Sequence, residues 1–161
     1  MTSLGIATVA RAGGLGVLVA TLLLAGCSKQ EPDAVARSCF GEPAALMSAL
    51  AQAPGAVVLE DGTRLSRCVS AARTDGDLQS LGLSFGRLAD ALRARAQTDA
   101  SAALQLGYLA GAVRAGARGA PDGLADQLAR RIGQLAALGP GASAAATAAL
   151  ARGGRAGEDS G

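Results

Sequence analysis

The sequence predicts an all-α fold, a small antiparallel bundle of five or six helices within residues 39–152. Apolar residues recur there at three- and four-residue steps, the spacing that places side chains on one face of a helix. Short connections with Gly or Pro separate these segments, and short connections favour antiparallel neighbours. The chain has two Phe, one Tyr and no Trp, so the core must be built from Leu, Ala, Val and Ile.

The first predicted helix begins at Glu42-Pro43, because proline suits the first turn of a helix. Its apolar face comprises Leu46, Met47 and Leu50. Pro54-Gly55 ends this helix. Residues 56–65 then combine a brief β-branched run with the turn signal Glu60-Asp61-Gly62, which indicates either a short hairpin or an extended loop.

From residue 65 onward the apolar residues follow a helical period. One face of a short helix carries Leu65, Cys68, Val69 and Ala72. Thr74 is predicted to cap the next helix, with Asp75 and Asp77 in its first turn. That helix has the strongest pattern in the chain, a heptad-like seam of Leu78, Leu81, Phe85, Leu88 and Leu92.

Three further helices complete the predicted bundle. Asp99 is expected to cap a helix with the apolar residues Leu106, Leu109, Ala110 and Val113. Asp122 is expected to cap the next, which carries on one side Leu124, Leu128, Ile132, Leu135 and Leu138. An alanine-rich helix of weak amphipathicity covers residues 142–152. The Gly-rich, charged tail 153–161 is predicted to be disordered.

Two pairs of glycines are spaced to expose a stripe of helix backbone. Gly82 and Gly86 lie four residues apart on the seam helix, and Gly107 and Gly111 on the following helix. We interpret both pairs as close helix crossings within the bundle, with a homodimer through one of these faces as the alternative. Tyr108, the only tyrosine, is interpreted as a half-buried packing residue.

The beginning of the chain follows a different pattern. Arg11 precedes an apolar run from Leu15 to Leu24, and Ala25-Gly26 leads to Cys27. A positive residue, about ten apolar residues and a small-residue cleavage site are typical of a secretory signal. Leu24-Ala25-Gly26-Cys27 resembles the lipobox of bacterial lipoprotein signal peptides. The alternatives are an ordinary secretory signal and a transmembrane helix, although a span needs about 20 apolar residues.

The lipobox resemblance implies a boundary at Cys27. In lipoproteins the thiol of this cysteine receives a diacylglyceryl group, and the preceding peptide is removed. Residues 1–26 would then be the signal peptide and 27–38 the lipidated N-terminus and tether. The expected location is the extracytoplasmic face of the cell membrane, or the outer membrane where the host has two, since Ser28 rather than Asp follows the cysteine.

A second, weaker resemblance concerns the mature part. Leu65-Ser66-Arg67-Cys68-Val69 followed by Asp77-Leu78-Gln79 is similar to small uncharacterised lipoproteins of GC-rich bacteria. This resemblance implies no known activity.

The cysteine count favours a disulfide. Lipidation of Cys27 would leave Cys39 and Cys68 as one pair in an oxidising compartment, where disulfides persist. Closing this loop of about 30 residues stabilises a domain by about 3.5 kcal/mol in the chain-entropy model. The alternatives are two buried free thiols or a metal site, although the chain has no histidine and two cysteines make a poor zinc site.

The sequence predicts a non-catalytic protein without catalytic, cofactor-binding or metal-binding residues. The absence of histidine removes every His-based general base, and no phosphate-binding loop or dinucleotide fingerprint occurs. The mature chain carries 14 basic and 13 acidic residues, without the concentrated basic surface of a nucleic-acid-binding protein. Contact with lipid headgroups or an anionic polymer is the alternative to solvent exposure for Arg87, Arg93, Arg95, Arg130 and Arg131.

These observations favour a membrane-anchored lipoprotein that serves as an envelope interaction or scaffold module. Its expected partners are the membrane, through the lipid anchor, and another envelope protein. The alternative is a carrier that binds a small apolar ligand or a lipid in the core of the bundle.

Overall fold

The structure is a computed structural model that describes residues 34–120 and 123–161. The described residues form a helical bundle without β-strands, which confirms the predicted fold class. A 3₁₀ turn at Arg37–Phe40 comes first. The α-helices are α1 (Pro43–Leu50), α2 (Leu65–Ser70), α3 (Asp75–Ala96), α4 (Ala100–Arg118), α5 (Gly123–Leu135) and α6 (Ala144–Ser160).

Helix α4 is the centre of the bundle, because it packs against all five other helices. Twelve of its 19 residues are buried, as expected for a helix that is surrounded by neighbours and apolar on most of its circumference. Helix α3 packs on α4 and α5, while α6 makes its most extensive contact with α4.

The predicted apolar seams form the core. The seam of α3 is buried throughout at Leu78, Leu81, Phe85, Leu88 and Leu92. The predicted faces of α2 and α4 are buried as well, whereas the apolar side of α5 is only partly covered. Leu128 and Ile132 are buried there, Leu124 is exposed, and Leu138 lies beyond the end of the helix.

Polar side chains at two of the predicted positions cap the N-termini of α3 and α4. The Thr74 hydroxyl accepts from the Asp77 N–H at 3.1 Å, and Asp77 Oδ2 accepts in return from the Thr74 N–H at 3.0 Å. This reciprocal pair is a capping box. Asp99 Oδ1 accepts from the N–H groups of Ser101 and Ala102 at the start of α4. The predicted cap Asp122 lies outside the described residues.

Residues 56–65 form a turn and no two-stranded hairpin. One isolated antiparallel bridge joins Val58 to Arg64. The Leu59 N–H donates to the Thr63 carbonyl at 2.8 Å, and Gly62 adopts a φ of 82°, a conformation that favours glycine. Of the two predicted alternatives, the structure has the loop, closed by this single bridge.

The prediction that residues 153–161 are disordered is wrong, because α6 continues to Ser160. Gly153, Gly154 and Gly157 are buried, and the missing side chains at Gly153 and Gly157 let the backbone of α6 approach that of α4. Arg114 Nε on α4 also donates to Glu158 Oε1 at 2.7 Å. Contact with α4 therefore overrides the poor helix propensity of glycine.

Candidate functional site

The predicted functional residues belong to the N-terminal side of the domain. Cys27, the predicted lipidation site, lies outside the described residues. The described residues begin at Ala34, seven residues further on, and the 3₁₀ turn at Arg37–Phe40 follows after Val35 and Ala36. This turn is the first secondary-structure element of the described residues.

A disulfide holds that turn against the domain. Cys39 and Cys68 are bonded, with their Cα atoms 5.6 Å apart, and both are fully buried in the apolar core. The predicted pairing is confirmed. Because Cys68 lies on α2, the bond attaches the turn to a helix that itself packs on α4.

Polar contacts reinforce this attachment. The Ser38 hydroxyl donates to Asp61 Oδ2 at 2.7 Å, and the Thr63 N–H donates to Asp61 Oδ1 at 3.0 Å. The Ser38 hydrogen bond, followed by those from Thr63, lowers the pKa of Asp61 below its ordinary value. The 3₁₀ turn is thus connected to the loop after Leu59 as well as to α2.

Tyr108 connects the same loop to the C-terminal helix. Its side chain is fully buried, so the prediction of a half-buried residue is wrong. The hydroxyl oxygen accepts from the Val57 N–H at 2.9 Å and lies 3.2 Å from the Ser160 hydroxyl. The sequence offered one signal for this role, because a buried tyrosine usually finds a partner for its hydroxyl group.

The glycine pair on α4 is a close helix crossing, as predicted. A Cβ atom at Gly107 would clash with the Leu150 carbonyl oxygen, and one at Gly111 with the Gly154 carbonyl oxygen. The pair on α3 differs. A Cβ at Gly82 would make an ordinary contact with Leu128, and one at Gly86 would meet nothing within 4 Å. Helix α6 covers the glycine face of α4, so that face is not available for a homodimer.

Surface clefts surround the bundle, and an apolar face links two of them. Leu83 lines one cleft of about 600 Å³ with Phe40 and another of about 560 Å³ with Leu124. We call these three exposed side chains the apolar face. Arg87 lines the first cleft and Arg131 the second.

The charged residues that the sequence singled out are distributed over the surface. The side chains of Arg87, Arg93, Arg95, Arg130 and Arg131 are all exposed, and the guanidinium group of Arg95 contacts the Met47 sulfur at 3.7 Å. Within residues 34–120 and 123–161, no three Cys, Asp or Glu side chains are arranged to hold a metal ion.

No protein-family model, curated protein or solved structure matches this chain. Among the helices of the described segments, none has both the length and the hydropathy needed to cross a bilayer. Any interpretation of function therefore depends on the residues of the chain and their arrangement.

Proposed function

We propose that the chain is a bacterial lipoprotein, anchored through acylated Cys27 and acting as a non-catalytic interaction or scaffold module of the cell envelope. The observation that supports this most is the Cys39–Cys68 disulfide. A buried disulfide suits an exported protein, and it uses two of the three cysteines. Cys27, at the end of the lipobox-like tetrapeptide, is the cysteine left for lipidation.

Only a short stretch of chain lies between Cys27 and the described domain. Ala34 lies seven residues after Cys27, and a fully extended chain over those seven steps spans at most about 25 Å. The lipid would therefore hold the first described residues close to the membrane surface. Two or more acyl chains on one residue give a stable anchor, whereas a single chain binds only marginally.

The exposed surface supports an interaction role, whereas the core gives little support to a carrier role. Between α4 and α6 the backbones are in contact, which leaves no space for a ligand between these two helices. The apolar face, by contrast, is exposed and open to contacts outside the domain. We assign no catalytic residue and no cofactor, and the expected protein partner is another envelope component rather than a nucleic acid.

Metabolic labelling with a tagged fatty acid tests the anchor. Wild-type protein and the neighbouring control Ser28→Ala should both incorporate the label, because each retains Cys27. Cys27→Ala should incorporate none while it still forms the Cys39–Cys68 bond. Labelling of Cys27→Ala at the wild-type level, or an unlabelled wild-type protein, would contradict the proposal.

The scaffold role needs a separate test. Extraction of the acylated protein in mild detergent after chemical cross-linking in intact cells should yield one envelope protein in a fixed ratio. Repeated isolation of the domain without a cross-linked partner would count against a scaffold and leave the anchor unaffected.

A further inference from the structure

We propose that the apolar face of Phe40, Leu83 and Leu124 docks on the bilayer surface to which Cys27 is anchored. The inference rests on the proposed lipidation of Cys27. It adds that the domain lies against the membrane in one orientation, with its 3₁₀ turn, α3 and α5 toward the lipid.

The exposure of large apolar side chains is concentrated on this face. In the described part of the chain, four such residues are exposed: Phe40 at 38%, Val58 at 37%, Leu83 at 53% and Leu124 at 36%. Three of the four form the apolar face, because Leu83 shares one cleft with Phe40 and another with Leu124. Isolated apolar residues on a surface are ordinary, but a grouped set indicates an interaction site.

The anchor approaches the bundle beside this face. Phe40 lies thirteen residues after Cys27, so at most about 45 Å of extended chain separates it from the lipid. Cys39, the neighbour of Phe40, is fixed to α2 by the disulfide. Because the chain from Cys27 enters the domain at the turn that carries Phe40, an anchored Cys27 would hold Phe40 within that reach of the bilayer. The bilayer would then have a raised effective concentration at the apolar face.

The charges around the face suit a bilayer interface. Arg87 and Arg131 line the two clefts, where their guanidinium groups can bind lipid phosphates in bidentate fashion. Asp75 and Asp77 line the same clefts, and Asp77 Oδ2 accepts from the N–H groups of Arg73 and Thr74. The two clefts thus carry two basic and two acidic residues. We therefore expect membrane binding to depend more on insertion of the apolar side chains than on attraction to anionic lipid.

The absence of tryptophan makes a fluorescence test direct. The acylated protein carrying F40W is reconstituted into phosphatidylethanolamine–phosphatidylglycerol vesicles, with and without brominated acyl chains. The control probe is Thr147→Trp, at an exposed position on α6. We expect at least twofold quenching of the F40W probe by the brominated lipid and little quenching of the control, at both low and high salt.

A second substitution tests the face itself. Leu83→Glu in the F40W protein should abolish the quenching, because a carboxylate at the centre of the face opposes insertion. Leu83 is more than half exposed, so the fold should persist. Ala148→Glu, an exposed position on α6, should leave the quenching unchanged.

The outcomes separate the anchor from the docking. Protein that does not float with the vesicles lacks the lipid, which overturns the proposed function and this inference together. Floating protein with equal quenching of the two probes overturns the docking alone. In the absence of vesicles, the F40W tryptophan should stay exposed to solvent. If it became shielded from solvent as the protein concentration rose, the face would be assigned to a second copy of the chain, and the docking would also be overturned.

Discussion

Tyr108 holds two segments that are far apart in the sequence through a single hydroxyl group. One segment contributes the Val57 N–H and the other the Ser160 hydroxyl. The Ser160 hydroxyl in turn donates to the Ala156 carbonyl at 2.8 Å. A buried N–H needs a partner, so the phenol oxygen at this position determines where the loop at Val57 can lie.

Tyr108→Phe should destabilise the domain by about 1–3 kcal/mol, the usual cost of an unsatisfied buried donor. The substitution keeps the ring and removes only the hydroxyl, so packing is conserved. Urea denaturation followed by circular dichroism measures the change. A midpoint equal to that of the wild type would show that the Val57 N–H does not depend on this bond.

The capping carboxylate of Asp77 is expected to make the stability of the domain depend on pH. Its hydrogen bond from the Arg73 N–H, together with those from Thr74, lowers the pKa of the carboxyl in the folded state. A carboxyl with a lower pKa in the folded than in the unfolded chain, where it is about 3.9, stabilises the fold above that value. This contribution is lost as the pH falls through the folded-state pKa.

Asp77→Asn should therefore reduce the loss of stability between about pH 5 and pH 3, relative to the wild type. Asp75→Asn is the matched control, since Asp75 lies in the same helical turn outside the capping box. Denaturation midpoints measured across this range provide the comparison. If the midpoints of Asp77→Asn depended on pH as those of the wild type do, Asp77 would not contribute to the acid sensitivity of the domain.

At the scale of elements, the contact between α4 and α6 is made by backbone. Gly107 and Gly111 on α4 face the carbonyl oxygens of Leu150 and Gly154, and Gly153 and Gly157 on α6 face those of Leu104 and Tyr108. Glycines from both helices therefore face backbone carbonyls of the other helix. Any larger side chain at these positions would separate the helices.

Gly111→Ala should destabilise the domain by about 1–3 kcal/mol or more, because the methyl group would overlap a backbone carbonyl that cannot rotate away. Gly86→Ala is the matched control, at a helical position where a Cβ meets no atom within 4 Å. It should stabilise the domain by about 0.5–1 kcal/mol, since alanine is the better helix former. If Gly111→Ala and Gly86→Ala changed the free energy of unfolding equally, the close crossing of α4 and α6 would be contradicted.

The elements that the sequence predicted best are those whose signal is local. The leucine seam of α3, the cap at Thr74 and the cap at Asp99 depend on residues within a few positions of each other. The last turns of α6 could not be predicted in this way. Their glycines are poor helix formers in isolation, and their partner, α4, lies about 45 residues earlier in the chain.

At the scale of the whole molecule, the disulfide joins the N-terminal end of the described chain to the bundle. It connects Cys39 in the 3₁₀ turn with Cys68 on α2, and α2 packs on the central helix α4. The cysteine count predicted this pair. The position of the apolar face could not be predicted, because its three residues come from three separate elements.

Replacement of both Cys39 and Cys68 by alanine should cost about 2–5 kcal/mol of unfolding free energy. The cost reflects the lost loop constraint, and removal of both sulfurs leaves no reactive thiol behind in the core. Chemical denaturation of the variant and of the wild type, with and without reductant, measures it. If reductant shifted the variant as much as the wild type, the stabilisation would have another source.

The central claim is that Cys27 is the acylated first residue of an anchored helical domain. The intact mass of the chain purified from the membrane fraction tests it most directly. The claim predicts a polypeptide that begins at residue 27, with the added mass of a diacylglyceryl group on Cys27. A chain that retains residues 1–26, or an unmodified Cys27 on the mature chain, would contradict it.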